Sequence, residues 1–123
     1  EVRSIFAALR DEMTMHMMKE EQVLFPMIRQ LESTEKEDRG SLQFHCGTLR
    51  NPIQAMEHEH DDAGAALRRL RELTFNYTPP PDACETFRVV LAGLERLEAD
   101  MHRHVHKENN ILFPRALKLE SGN

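Results

Sequence analysis

Apolar side chains return at every third or fourth position along most of this sequence, and nowhere do they alternate with polar ones over the length of a strand. That period is the period of one α-helix face, so the chain is read as all-α. The first stripe is Ile5, Leu9, Met13, His16, Glu20, Leu24, Met27 and Leu31, on a helix from about Ser4 to about Gln30. The polar run ESTEKEDRGS interrupts it, and the segment up to Arg50 reads as a long connection. A second helix is expected to open with Asn51 as its N-cap and Pro52 at its first position, where a missing N–H costs nothing. Its stripe is Ile53, Met56, His60, Gly64, Leu67, Leu70 and Thr74. Thr78 to Pro81, with consecutive prolines, cannot continue a helix and is read as a stiff connector. Asp82 and Glu85 stand at capping-box spacing before a third helix. That helix carries Phe87, Leu91, Leu94, Leu97, Met101, His104, Glu108 and Leu112 and reaches Pro114 or a little beyond.

These stripes contain side chains that do not belong in a core. His16 and Glu20, His60, and His104 and Glu108 occupy positions that the pattern assigns to the interior. Buried imidazoles and carboxylates without partners cost several kcal/mol each, a large part of the stability of a domain this small. Something must compensate them. The surrounding sequence also repeats: HMMKEEQVLFP begins at His16, and HVHKENNILFP begins 88 positions later at His104. Residues four apart on a helix point within about 40° of each other, so each copy presents an imidazole and a carboxylate to one spot. A single HxxxE is weak evidence, since most such pairs are solvated contacts on a charged helix. Two copies in apolar stripes, joined by His60 from another helix, point to a metal site of the kind helix bundles build from inward Glu and His. Imidazole with carboxylate suits iron, manganese or zinc, and no thiolate biases the choice.

The remaining histidines follow from geometry. His58 is about 200° around the helix from His60, so the two cannot both face inward, and the stripe selects His60. His102 and His106 flank His104 in the same way and are expected at the surface, while the role of His45 in the connection is left open. Met13, Met27, Met56 and Met101 read as core filling. Phe25–Pro26 and Phe113–Pro114 are expected to pack and to end or kink their helices. Lys19 and Lys107 lie off the stripes and are poor counter-ions for the buried carboxylates.

Composition removes several classes of function. At 123 residues, with 40% apolar and 30% charged side chains, the chain makes one folded domain. Sixteen basic against 21 acidic residues leave a net charge of −5 and no basic stripe, so nucleic acid is not an expected partner. The two cysteines, Cys46 and Cys84, lack any CxxC pairing and suggest a reducing compartment. With no run long enough to span a membrane and no signal pattern, a cytoplasmic protein without membrane partners is expected. The chain opens at Glu1 already inside a helical pattern, which suggests the C-terminal piece of a longer protein.

With HMMKEEQVLFP, MEHEHDDAG and HVHKENNILFPRAL in hand, the chain resembles the hemerythrin-like domain of the repair-of-iron-centres family, di-iron proteins for iron–sulfur cluster repair. The resemblance runs over nearly all of residues 1–123. It implies an up-and-down hemerythrin-like helix bundle whose first helix is missing from this chain. It also implies two non-haem iron ions, oxo- and carboxylate-bridged, held by His16, Glu20, His60, His104 and Glu108, with Glu20 and Glu108 bridging. Those five are the residues the stripes select. Counting each bridging carboxylate twice, they supply fewer bonds than two five- or six-coordinate irons require. An upstream helix or a second chain is therefore expected to complete the centre, and the open ligand-bearing face to associate, as a homo-oligomer or with that segment.

The function so implied is repair of iron–sulfur clusters damaged by nitrosative or oxidative stress, with damaged iron–sulfur proteins as partners and no catalytic turnover required. Its nearest rival is a hemerythrin-type protein that binds or senses dioxygen or nitric oxide reversibly. A di-iron oxidase or nitric oxide reductase, and a metal-free bundle whose five residues form buried ion pairs, are the remaining alternatives.

Overall fold

A computed structural model of the chain describes residues 1–34 and 48–121. His45 and Cys46 lie outside the described residues. The first rod consists of α1 (Val2–Lys19), one π-helical turn (Glu20–Leu24) and α2 (Phe25–Ser33). α3 (Arg50–Leu73) packs along α1. The last rod repeats the first: α4 (Glu85–Lys107), a π turn (Glu108–Leu112) and α5 (Phe113–Ser121). α4 packs on α3, and α5 packs on α2.

The apolar stripes collapse into two separate cores. One joins Leu24, Met27, Ile28 and Leu31 to Leu49, Ile53, Met56, Phe113 and Ala116. The other joins Leu9 to Ala63, Leu67, Leu70, Tyr77, Leu91 and Leu94. Each fully buried leucine or isoleucine contributes roughly 1.5–3 kcal/mol, so both ends of the bundle are anchored independently. Between them lies one polar level, where His16, Glu20, His60 and Glu108 are buried.

Several local expectations require correction. α3 starts one residue before Asn51: Leu49 is its N-cap, Thr48 Oγ1 accepts the Arg50 N–H at 3.1 Å, and Glu120 Oε2 accepts the Leu49 N–H at 2.8 Å. Pro52 still falls in the first turn, where no intrahelical donor is needed. The Asp82–Glu85 capping box does not form, because Cys84 is the N-cap of α4 and gives it no side-chain hydrogen bond. Phe87 is exposed, not in the core. Neither Pro26 nor Pro114 ends its helix. In each π turn the amide bond closes five residues back, Phe25 N–H to the Glu20 carbonyl and Phe113 N–H to the Glu108 carbonyl. The widened turn admits a ring that would collide with the carbonyl four residues earlier in a regular helix.

At the end of α3 the chain reverses through three consecutive left-handed residues, Phe75, Asn76 and Tyr77, with φ of 51°, 61° and 58°. Such residues cost about 1–2 kcal/mol each when they are not glycine. Burial of the Tyr77 ring offsets this, and its hydroxyl donates to Glu98 at 3.2 Å. Glu98 is itself buried and receives both ends of the Arg71 guanidinium, whose hydrogen bonds hold its carboxyl below the usual carboxylate range. No described helix is long and apolar enough to cross a membrane.

Candidate metal centre

All three rods send ligand-type residues to the polar level. His16 and Glu20 come from the junction of α1 with its π turn, His60 from the middle of α3, and His104 and Glu108 from the junction of α4 with the second π turn. Glu20 and Glu108 are each the first residue of a π turn, a feature often found at functional sites. One donor atom from each of His16, His60, His104 and Glu108 lies within 4.8 Å of all the others. Glu20 falls outside that set but sits beside it, with Oε1 at 3.6 Å from His16 Nε2.

The distances have a pattern. Glu108 Oε1 is 3.0 Å from His60 Nε2, 3.1 Å from His104 Nε2 and 3.6 Å from His16 Nε2, and the Nε2 atoms of His16 and His60 are 3.2 Å apart. Yet Glu108 Oε1, His104 Nε2 and Glu20 Oε2 have no well-directed hydrogen bond among the described residues. These atoms converge on a common point more than on one another. Ligands about 2.1 Å from one ion are separated by roughly 3.0–3.4 Å in octahedral or tetrahedral geometry. The donor set therefore fits a metal ion.

The outer nitrogens of two histidines are already committed. His16 Nδ1 donates to Glu59 Oε1 at 2.8 Å, and Lys19 donates to the other Glu59 oxygen. His60 Nδ1 donates to Asn109 Oδ1 at 2.9 Å, and the Phe113 ring stacks on His60 at 6.0 Å. These bonds fix the tautomers that leave both Nε2 atoms free to ligate. Sequence reasoning missed Glu59 and Asn109. Each directly adjoins a candidate ligand, and position beside a ligand was the one available signal. Lys19, set aside as off the stripe, acts one step out by holding Glu59.

Electrostatics point the same way. Burial works to lower the His16 pKa, but the carboxylates of Glu108, Glu20 and Glu59 outweigh it and push it up to about 10. Burial, with Glu108 nearby, pushes Glu20 up to about 7 against the pull of His16. Burial also works to raise Glu108, but His16 and His60 hold it well below the usual carboxylate range. The metal-free pocket thus takes up protons at His16 and Glu20 in place of a cation. His104 is the open side, with its side chain 34% exposed and its pKa lowered by burial.

His104 opens onto a trough between α1 and α4. Near the site this is a cavity of about 340 Å³ lined by Met17, Glu20, Phe25, His104 and Glu108. Farther along it is lined by Leu9, Met13, Leu97 and Met101, and it ends in an apolar hollow of about 720 Å³ beside Phe6 and Val90. His58, His102 and His106 are exposed, as expected.

Residues 1–116 match the hemerythrin HHE cation binding domain. The chain belongs to that family. It is 47% identical over 111 residues to the iron–sulfur cluster repair protein YtfE of Musicola paradisiaca, covering 90% of this chain and 44% of the relative. With the protein of the same name from Escherichia coli O81 it shares 46% identity over 89% of its length and 44% of the relative's. The chain thus spans less than half the length of these relatives. For a hemerythrin-family domain, the inward His and Glu at one level are a donor set suited to a metal cation.

Proposed function

We propose that this chain is the di-iron part of a protein that repairs iron–sulfur clusters damaged by nitrosative or oxidative stress. The observation that carries the reading is the placement of Glu108 Oε1 among three imidazole Nε2 atoms, with Glu20 beside them, in a level that both cores leave polar. The names of the relatives support the repair role. His16, Glu20, His60, His104 and Glu108 are the residues that would hold the two irons. The bound irons would supply exchangeable electrons and exchangeable iron.

The chain's own residues set the terms of that exchange. Glu59 and Asn109 hold His16 and His60 in ligating orientation, so those two nitrogens need no reorganisation. His104 lacks such a clamp among the described hydrogen bonds and faces the trough, which makes its side the one where a ligand is gained or lost. The trough is the place for an upstream helix or a second chain that brings further ligands. Damaged iron–sulfur proteins in the cytoplasm are the partners. The exposed edge at His104 also favours the second reading, reversible dioxygen or nitric oxide binding at that side.

The test is iron content per chain after purification without oxygen, followed by reactivation of a nitric oxide-damaged iron–sulfur enzyme. Near two irons per chain and recovery of the enzyme are expected. Two irons with reversible dioxygen binding and no recovery would favour the second reading, and no iron even in the presence of the helix or second chain that fills the trough would refute both.

A further inference from the structure

His102 and His106 take no part in the centre, but they are not isolated. They lie one turn apart on α4, both exposed, and both line a groove of about 280 Å³ between α4 and α3 that also reaches His60. The groove is open at Gly64, where an added Cβ would meet nothing within 4 Å. It lies on the α3 side of α4, so a helix filling the trough toward α1 would leave it uncovered.

Two imidazoles four residues apart on a helix can hold one divalent ion through their Nε2 atoms, the arrangement on which helical zinc sites are built. The support such a ligand needs is present. The Asn110 amide nitrogen lies 2.8 Å from His106 Nδ1. A half-turn of that amide presents Oδ1 to an Nδ1–H, as Asn109 already does for His60. The pair of asparagines in the second repeat thus serves one imidazole each.

We propose that His102 and His106 form a peripheral site for a divalent transition-metal ion at the mouth of the groove that reaches His60, where iron pauses on its way to or from the centre. An uncharged pair of imidazoles holds iron(II) less firmly than nickel or zinc, which suits a pause and not storage. The staging role rests on the iron-centre reading above; the binding of an ion by the pair does not.

Zinc is the probe. Calorimetric titration into the iron-loaded chain should show about one zinc ion bound per chain beyond the centre. His102→Ala and His106→Ala should each abolish it, Asn110→Ala should weaken it ten- to a hundredfold, and His58→Ala should leave it unchanged. Equal zinc binding by the wild type and the His102→Ala/His106→Ala variant overturns the site. In a second arm a chelator removes iron from the loaded chain, and zinc should slow that removal in the wild type but not in the double variant. Equal rates overturn the staging role. Failure to take up iron even with the trough filled refutes the centre instead, and the zinc difference between wild type and double variant still decides the pair.

Discussion

Replacing Glu20 by Gln should make the metal-free chain more stable at pH 8 and the iron-loaded chain less stable. Glu20 is 3% exposed, so solvent does little to screen it, and its carboxyl is moved from an ordinary 4.5 to about 7, chiefly by burial. Holding it ionised in the folded state costs about 3 kcal/mol at pH 8. A raised carboxyl pKa means the favourable contribution is complete below 4.5 and is lost as pH rises toward 7. Glutamine has the same shape and no charge, so it escapes that loss. The variant should lead by about 3 kcal/mol at pH 8, or about 10 °C in Tm, and by under ~1 kcal/mol at pH 5. Urea unfolding followed by circular dichroism, with a chelator present, measures both. Iron reverses the order, because the amide is a poorer ligand than the carboxylate. A metal-free variant no more stable than the wild type at pH 8, or a gap that does not narrow on acidification, would refute the account of Glu20 as a ligand kept at the expense of stability.

Other substitutions separate the parts of the site. His60→Ala should lose bound iron while His58→Ala, 77% exposed and paired with Asp62, should keep it; equal loss measured by elemental analysis would defeat the assignment. Asn109→Ala should weaken metal binding ten- to a hundredfold with unchanged helix content, read by competition with a chromophoric chelator. Arg71→Met should lower stability at pH 7, by less than the loss of a fully buried pair because Arg71 is 44% exposed. The Glu98 pKa is lowered, chiefly by Arg71, so the pair's contribution is present above 4.5 and disappears as pH falls through the folded value. Unfolding curves for wild type and variant should therefore converge in acid, below the usual carboxylate range.

The helices and their inward faces were legible because burial is periodic. Leu9, Leu24, Leu31, Ile53, Met56, Leu67, Leu70, Leu91 and Leu94 are all interior, and the same count placed His16, Glu20, His60 and Glu108 there. Capping was misread because Thr48 and Glu120 satisfy the start of α3, and a contact 71 residues away leaves no local signature. The π turns were invisible for a different reason: no residue type demands them, and a proline one residue into the next helix looks like a stop. Glu98 escaped notice because its partners, Arg71 and Tyr77, come from another helix and a left-handed turn. Glu59 and Asn109 were hidden by the same logic that found the ligands, since a stripe records what faces inward and not what stands behind it.

The paired π turns limit how this centre could be borrowed. Each inserts one residue more than a regular helix requires, immediately at the carboxylate, and so re-phases everything beyond by about 100°. Phe113 lies nine residues after His104, half a turn away on a regular helix, and meets the core because of that offset. An engineer grafting HxxxE with its LFP tail onto an ideal straight helix would aim the ligands inward and Phe113 away from the interior. What must be transplanted is the irregularity together with the residues.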